Sequence, residues 1–229
     1  MKDDAESQAA VAKAPGGAGG VHAASVVSAP ELLAAGPLLI VLSGPSGAGK
    51  DAVLQELKRR GAPYHFVVTA TSRAPRPGER DGIDYHFLSE AEFLRLRDSG
   101  GLLEHVLYHG TYRGVPKAQV REALAAGRDV LMRTDVRGAL TIKGMAPGVV
   151  LIFIAPPGLA ALEERMVARG EPPEEIRARI ALARDELAAA PRFDYCVLNE
   201  DGRLDRAADQ VQAIITAERC RIGRQPVAL

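Results

Sequence analysis

The stretch Leu38-Leu39-Ile40-Val41-Leu42-Ser43-Gly44-Pro45-Ser46-Gly47-Ala48-Gly49-Lys50 decides the fold. Leu38 to Leu42 is short and continuously apolar, the pattern of a strand buried on both faces. Gly44 and Gly49 then enclose Pro45, Ser46, Gly47 and Ala48, with Lys50 directly after. Glycines at that spacing let the backbone curl so that its N–H groups converge on phosphate oxygens. The segment Asp51 to Arg60 carries Val53, Leu54 and Leu57 on one helical side, so a helix N-terminus adds its positive end to the same point. Lys50 is placed to reach β- and γ-phosphates. A bare glycine-rich turn is the competing reading, and the strand before and helix after argue against it. One residue departs from the usual P-loop: Asp51 stands where a Ser or Thr hydroxyl would hold Mg²⁺.

Working outward, apolar runs alternate with amphipathic helices. Further strands are expected at 66–69, 129–134, 149–154 and 195–198. Ser89 to Ser99 opens with Ser89 and Glu92 at capping-box spacing, and Pro116 to Ala126 starts on proline and stops at Gly127. Leu159 to Ala168 and Glu174 to Ala189 are joined by Gly170-Glu171-Pro172-Pro173, and Leu204 to Cys220 turns Val211, Ile214 and Ile215 inward. Such alternation implies an α/β fold with a parallel sheet covered by helices on both faces. The first 36 residues are rich in Ala, Gly, Val and Ser and lack Phe, Tyr and Trp, which reads as a disordered tail. Its start is too acidic for an organellar transit peptide.

Lys+Arg 29 cancels Asp+Glu 29, which argues against a nucleic-acid-binding protein. Cys196 and Cys220 have no paired spacing, so a disulfide framework and a Cys-based zinc site are not expected, and a reducing, cytoplasmic setting fits. Cys196 reads as a small core residue of a strand. The five histidines show no metal-ligand spacing, and no apolar run reaches the ~20 residues a bilayer requires.

A P-loop alone does not name a reaction. The next residues do more: Thr69-Ala70-Thr71-Ser72-Arg73-Ala74-Pro75-Arg76-Pro77-Gly78-Glu79, then Asp81-Gly82-Ile83-Asp84-Tyr85. Arg73 and Arg76, on a proline-stiffened loop, can fork onto one phosphate. Glu104, in Gly101-Leu102-Leu103-Glu104, offers two acceptor oxygens, although such an acid read alone is more often an exposed one at a helix end. Asp135 follows the apolar run Val130 to Thr134, the usual place of an acid beside a bound nucleotide.

With these motifs the sequence resembles the guanylate kinases. The likeness continues through Tyr108-His109-Gly110-Thr111-Tyr112-Arg113-Gly114-Val115-Pro116, Asp135-Val136-Arg137-Gly138-Ala139 and Phe193-Asp194-Tyr195-Cys196-Val197-Leu198-Asn199. It implies a P-loop NTPase fold of the nucleoside-monophosphate kinase type spanning 37–222, with 223–229 as a C-terminal tail. The core would be 37–68, 129–157 and 191–222, the GMP-binding region 69–128, and a helical lid 158–190. The implied partners are ATP and GMP, with Mg²⁺, and no nucleic acid or membrane; the protein would be a monomer or small homo-oligomer. By resemblance Arg73, Arg76 and Tyr85 take the GMP phosphate, and Thr69, Glu104 and Asp135 the base. Lys50, Arg73 and the lid residues Arg165 and Arg179 would act on the transferring phosphoryl group. Residues 44–51 with Arg169 and Asn199 would hold ATP, and Asp51 is the candidate metal ligand.

Three positions depart from the family pattern. Arg113 stands where a Tyr usually meets the GMP phosphate, Val115 where a Ser or Thr meets guanine, and Arg133 where an acid precedes Asp135 by two residues. Asp after the P-loop lysine resembles a subgroup that includes plant organellar guanylate kinases. Two rival readings use the same scaffold. A sugar-phosphate kinase would not need Glu104 and Thr69 as base readers. A silent phosphopeptide-binding module of this kind typically lacks the lysine that is present here as Lys50.

Overall fold

Strand β1 (Leu39–Ser43) is buried along its whole length. Alternate side chains serve opposite faces: Leu38, Ile40 and Leu42 enter one apolar cluster, Leu39 and Val41 another. That two-sided burial explains the unbroken apolar run in the sequence. The computed structural model describes residues 36–108 and 110–229, with Ser28 and Leu32 besides. The rest of the expected N-terminal tail lies outside the described residues, as does His109.

β1 is the middle strand of a five-stranded parallel sheet. Its neighbours are β7 (Val130–Arg133) and β8 (Val150–Ala155), with β2 (His65–Phe66) and β9 (Tyr195–Leu198) at the edges. Helices α1 (Lys50–Arg59) and α7 (Leu204–Arg219) cover one face through Val53, Leu54, Leu57, Val211 and Ile215. Helices α3 (Lys117–Ala125) and α4 (Val136–Met145) cover the other through Val120, Ala123, Ala139 and Ile142.

The insertion folds as a second sheet that the sequence reading did not resolve into strands. Its order is β4 (His86–Phe87), β3 (Ala70–Thr71), β6 (Thr111–Pro116), β5 (Leu102–Tyr108). Two of the four strands have only two residues each, too short for periodicity to register. Phe93 of α2 (Glu90–Asp98) stacks on Tyr112 with ring centroids 5.4 Å apart, closing a small core with Ala70 and Leu102. The capping box forms as expected: Ser89 Oγ accepts from the Glu92 N–H, and the Glu92 carboxylate accepts from the Ser89 N–H at 2.7 Å. Leu103 and Val115 anchor this sheet to the main core, so Val115 is core packing.

The lid region is two helices, α5 (Leu159–Ala168) and α6 (Pro173–Ala188), with Leu162, Met166, Ile176 and Ala183 as their own core.

Several expectations need correction. Pro116 closes β6 and caps α3 from outside the helix. The strand expected at 66–69 ends at Phe66, because Gln119 bonds both the N–H (2.9 Å) and the C=O (2.6 Å) of Val68 and draws the chain away from β7. Cys196 is exposed: β9 is an edge strand, and of its residues only Val197 is buried. Residues 223–229 are docked rather than trailing, with Val227 and Leu229 packed on the core and the Ala228 N–H on the Pro147 carbonyl at 3.4 Å.

Candidate active site

Gly44–Lys50 joins β1 to α1. Gly44 has φ 138°, and a Cβ there would lie 2.2 Å from the Ile154 carbonyl oxygen of β8. Gly49 has φ 90°, and its Cβ would lie 2.1 Å from Asn199 Nδ2. Both glycines are therefore required by close approach as well as by backbone angle. Asn199, just past β9 and nearly buried, donates from Nδ2 to the Ala48 carbonyl at 2.8 Å. Expected near adenine, it braces the loop in this structure. Lys50 Nζ donates to the Gly44 (2.6 Å) and Pro45 (2.9 Å) carbonyls. Burial lowers its pKa to about 8, with Glu186, Asp51 and Asp135 opposing and Arg133 assisting.

Asp51 is largely exposed in the first turn of α1 and pairs with Arg133 from the end of β7. The two departures from the family pattern thus compensate each other directly.

The lid arginines rest on the loop. Arg165 donates to the Gly47 carbonyl (3.2 Å), the Asn199 carbonyl (2.8 Å) and Asp201 (2.9 Å). Arg179 donates to Ser46 Oγ and pairs with Glu171. Arg169 pairs with the same Glu171 at 2.9 Å, and its Nη2 would stand 3.5 Å from a Cβ on Gly47. Glu171 and Glu186 were both missed in the sequence. The available signal was a carboxylate two helical turns after Arg179, and another in the turn joining two arginine-bearing helices.

The acceptor-side residues form two groups. Around the 73–85 loop, both Arg73 Nη atoms donate to Glu79 at 2.6 Å, and the guanidinium sits over the Tyr85 ring at 5.0 Å. The Arg76 N–H donates to Glu79 at 2.7 Å while its side chain is exposed, so Glu79 gathers the loop. Its hydrogen bonds from Arg73 and the Arg76 N–H hold the Glu79 carboxyl down at about 2.

The second group is Glu104 on β5, Thr134 and Asp135. A Cβ on Gly138 would lie 2.5 Å from Thr134 Oγ1 and 3.1 Å from Glu104 Oε2, which places these groups over the start of α4. Asp135 caps that helix, accepting from the Gly138 N–H at 2.7 Å. Burial, then the nearby Asp135 charge, pushes the Glu104 carboxyl up to about 7, against a hydrogen bond from Thr134. Thr69 lies half-buried between β2 and β3, its carbonyl accepting from the His86 N–H at 2.9 Å. Arg113 lies half-buried in β6, opposite Thr71 and Val106.

A glycine-built loop with a half-buried lysine, touched by two arginine-bearing helices, in a chain that also holds a second arginine loop and a half-buried acid, defines a P-loop NTPase built as a phosphotransferase. The guanylate kinase family matches residues 37–218, and the chain belongs to that family. It is 48% identical over 181 residues to the guanylate kinase of Gloeobacter violaceus, covering 79% of this chain and 87% of that one. It is 42% identical over 193 residues to guanylate kinase 2, chloroplastic/mitochondrial, of Oryza sativa subsp. japonica, covering 83% and 68%. Among solved structures, the guanylate kinase of Anaplasma phagocytophilum superposes with TM-score 0.65 at 31% identity, covering 83% of this chain and 90% of that one.

Proposed function

We propose that the chain carries out ATP + GMP → ADP + GDP with a particular division of labour among its residues. Lys50 and the loop N–H groups of residues 44–49 hold the donor's β- and γ-phosphates. Arg73, Arg76, Tyr85 and Arg113 hold the acceptor phosphate. Glu104 reads guanine, with Thr69 and Asp135 beside it. The observation that carries this reading is the half-buried Glu104 carboxyl, pushed up by desolvation and, among the described residues, with no cation acting on it. A buried acid with neither counter-charge nor a full set of donors costs stability, and a base that presents two adjacent N–H groups removes that cost. Adenine leaves it in place.

The chemistry needs no general base on the chain. In-line placement and neutralisation of the spreading negative charge supply most of the rate in phosphoryl transfer. Lys50, Arg73, Arg165 and Arg179 are the cations for that task, the last two brought by the lid helices over Ser46 and Gly47. Arg165 and Arg179 exchange carbonyl, hydroxyl and carboxylate partners for phosphate oxygens. Arg169 lies over the loop where a nucleotide base can stack on its guanidinium.

Mg²⁺ enters as the companion of the ATP substrate. Among the described residues no group of three or more His, Cys, Asp or Glu is arranged to hold a metal. That donor set suits an ion held chiefly by phosphates and water with one protein oxygen, and Asp51 beside Lys50 is the carboxylate placed to give it. The ion would then spread phosphate charge in the transition state. Two free thiols fit a reducing compartment such as the cytoplasm. Among the described residues no helix is long and apolar enough to cross a membrane.

ADP formation measured with GMP, AMP, UMP and ribose phosphates tests the reading. GMP is expected to exceed AMP by at least about 100-fold in kcat/KM, the scale of discrimination when a buried polar group is left unpaired. Equal rates with AMP or a ribose phosphate overturn it.

A further inference from the structure

Helix α6 carries a side chain that the division of labour above does not use. Glu186 lies two turns after Arg179, so the two share the helix stripe that faces the P-loop, while Ile176, Ile180 and Ala183 pack on α5. Arg179 fixes the register of that stripe by donating to Ser46 Oγ. The Glu186 carboxylate then falls against the loop itself: burial raises its pKa, and the Lys50 ammonium and the Ser46 backbone N–H oppose that rise by favouring the charged form. The attraction is mutual, and Glu186 is the strongest of the acids that favour the charged form of Lys50. Its Oε2 is buried and accepts no hydrogen bond.

We propose that Glu186 is a positioning residue for the phosphoryl donor: its carboxylate draws on the Lys50 ammonium and the Ser46 amide, the groups that receive the donor's phosphates, so that nucleotide binding displaces it and thereby couples the P-loop to the lid helix. The proposal rests on the phosphate reading of the P-loop given above. Its physical basis is that two anions compete for one lysine and one amide. At short range in a partly desolvated site, like charges repel strongly, so the carboxylate and a triphosphate do not share the position. The orphaned Oε2 marks the contact as incomplete: a phosphate, with three oxygens to offer, satisfies the loop better than one carboxylate does. Because Glu186 and Arg179 ride on the same stripe, moving the carboxylate off Lys50 re-aims Arg179, which must also leave Ser46 Oγ and Glu171 to reach a phosphoryl group. Glu186 thus acts through Lys50 and Arg179, without a part in the bond-making itself.

The test is calorimetric binding of ATP and ADP to the full chain, with steady-state kinetics alongside, for wild type, Glu186→Gln, Glu186→Ala and Lys50→Ala. Displacement predicts that Glu186→Gln and Glu186→Ala each tighten ATP and ADP by at least about 3-fold, with KM for ATP falling in step and KM for GMP unchanged. A merely structural glutamate predicts the opposite sign for the nucleotides. Unchanged or weaker ATP binding in Glu186→Gln, in a variant whose thermal unfolding matches wild type, overturns the proposal. If Glu186→Gln unfolds early, Glu186→Asp decides: it keeps the charge, so wild-type affinity supports displacement, and tightening equal to that of Glu186→Ala overturns it. Failure of the underlying P-loop reading is recognised separately, because Lys50→Ala would then bind ATP as wild type does.

Discussion

The proposed donor and acceptor sides of this site would solve the same problem, holding phosphate, with different materials. On the donor side the shape is set by backbone: Gly44 and Gly49 fit where Ile154 and Asn199 allow no side chain, and Lys50 is buried behind them. On the acceptor side it is set by long side chains on a loop at the edge of a small sheet, with Arg73 forked onto Glu79. Each side also has a carboxylate near the cations proposed to bind phosphate: Glu79 pairs with Arg73, and Glu186 lies close enough to Lys50 to favour its charged form. Glu79 comes from the same loop, six residues from its arginine, whereas Glu186 comes from a distant helix. An acid that is local organises its loop; an acid that arrives from elsewhere ties two moving parts together. On the proposed reading, the donor side is therefore the one whose internal contacts would break when a nucleotide binds.

The comparison breaks most severely at its cations. Lys50→Ala is expected to lower kcat by about 1,000-fold or more, the range for removing a preorganised charge from a developing transition state. Arg73→Lys keeps the charge but loses the fork, and about 30- to 100-fold in kcat/KM for GMP is expected, with KM for ATP unchanged. If Arg73→Lys were as damaging to ATP as to GMP, the two sides would not be separate.

Glu104 sharpens the acceptor side through pH. Burial and the Asp135 charge push its carboxyl up to about 7 in the folded protein, from an ordinary value of 4.5. Being raised, it costs no stability below pH 4.5, and the cost grows as pH climbs from 4.5 and levels off above about 7. Glu104→Gln should therefore stabilise the nucleotide-free protein at pH 8 by up to about 3 kcal/mol, with the gap closing at pH 4.5. The same variant should lose about 100-fold in kcat/KM for GMP and most of its preference over AMP. For wild type, KM for GMP should fall between pH 6 and 8 as the carboxylate ionises. Thermal unfolding and a KM profile over that range check both signs; a wild-type KM that is flat with pH would remove Glu104 from the base site.

The smallest effect concerns Asp51. If it gives an oxygen to Mg²⁺, Asp51→Ala should raise the Mg²⁺ midpoint of activity by about 3- to 10-fold, and Asp51→Ser combined with Arg133→Glu should recover part of the loss. If it only favours the helix N-terminus and pairs with Arg133, the midpoint should stay put and stability should drop by about 0.3–1 kcal/mol.

What was legible in the sequence was whatever is local. Leu38 to Leu42 read as a strand covered on both faces, Gly44 to Lys50 as an anion loop in preference to a bare glycine-rich turn, and Ser89 with Glu92 as a helix start. Each of these is decided by neighbours within four or five positions, through burial period, backbone freedom or capping, so one stretch contains all the information. Arg73 and Arg76 on one proline-stiffened loop offered a phosphate fork through residue type, whereas the guanine role of Glu104 came only with the resemblance of its motif to the guanylate kinases.

Only the tertiary structure decided which charge meets which. That Asn199 braces Ala48, that Asp51 finds Arg133, that Gln119 ends β2, and that Arg179 reaches Ser46 are contacts between segments far apart in the chain. The exposure of Cys196 and the docking of Val227 and Leu229 were settled in the same way, by where an edge strand and a terminal segment happen to lie on the sheet. Electrostatic partners depend on distance in space, and on how much water the fold removes from between them, neither of which periodicity along a single chain records.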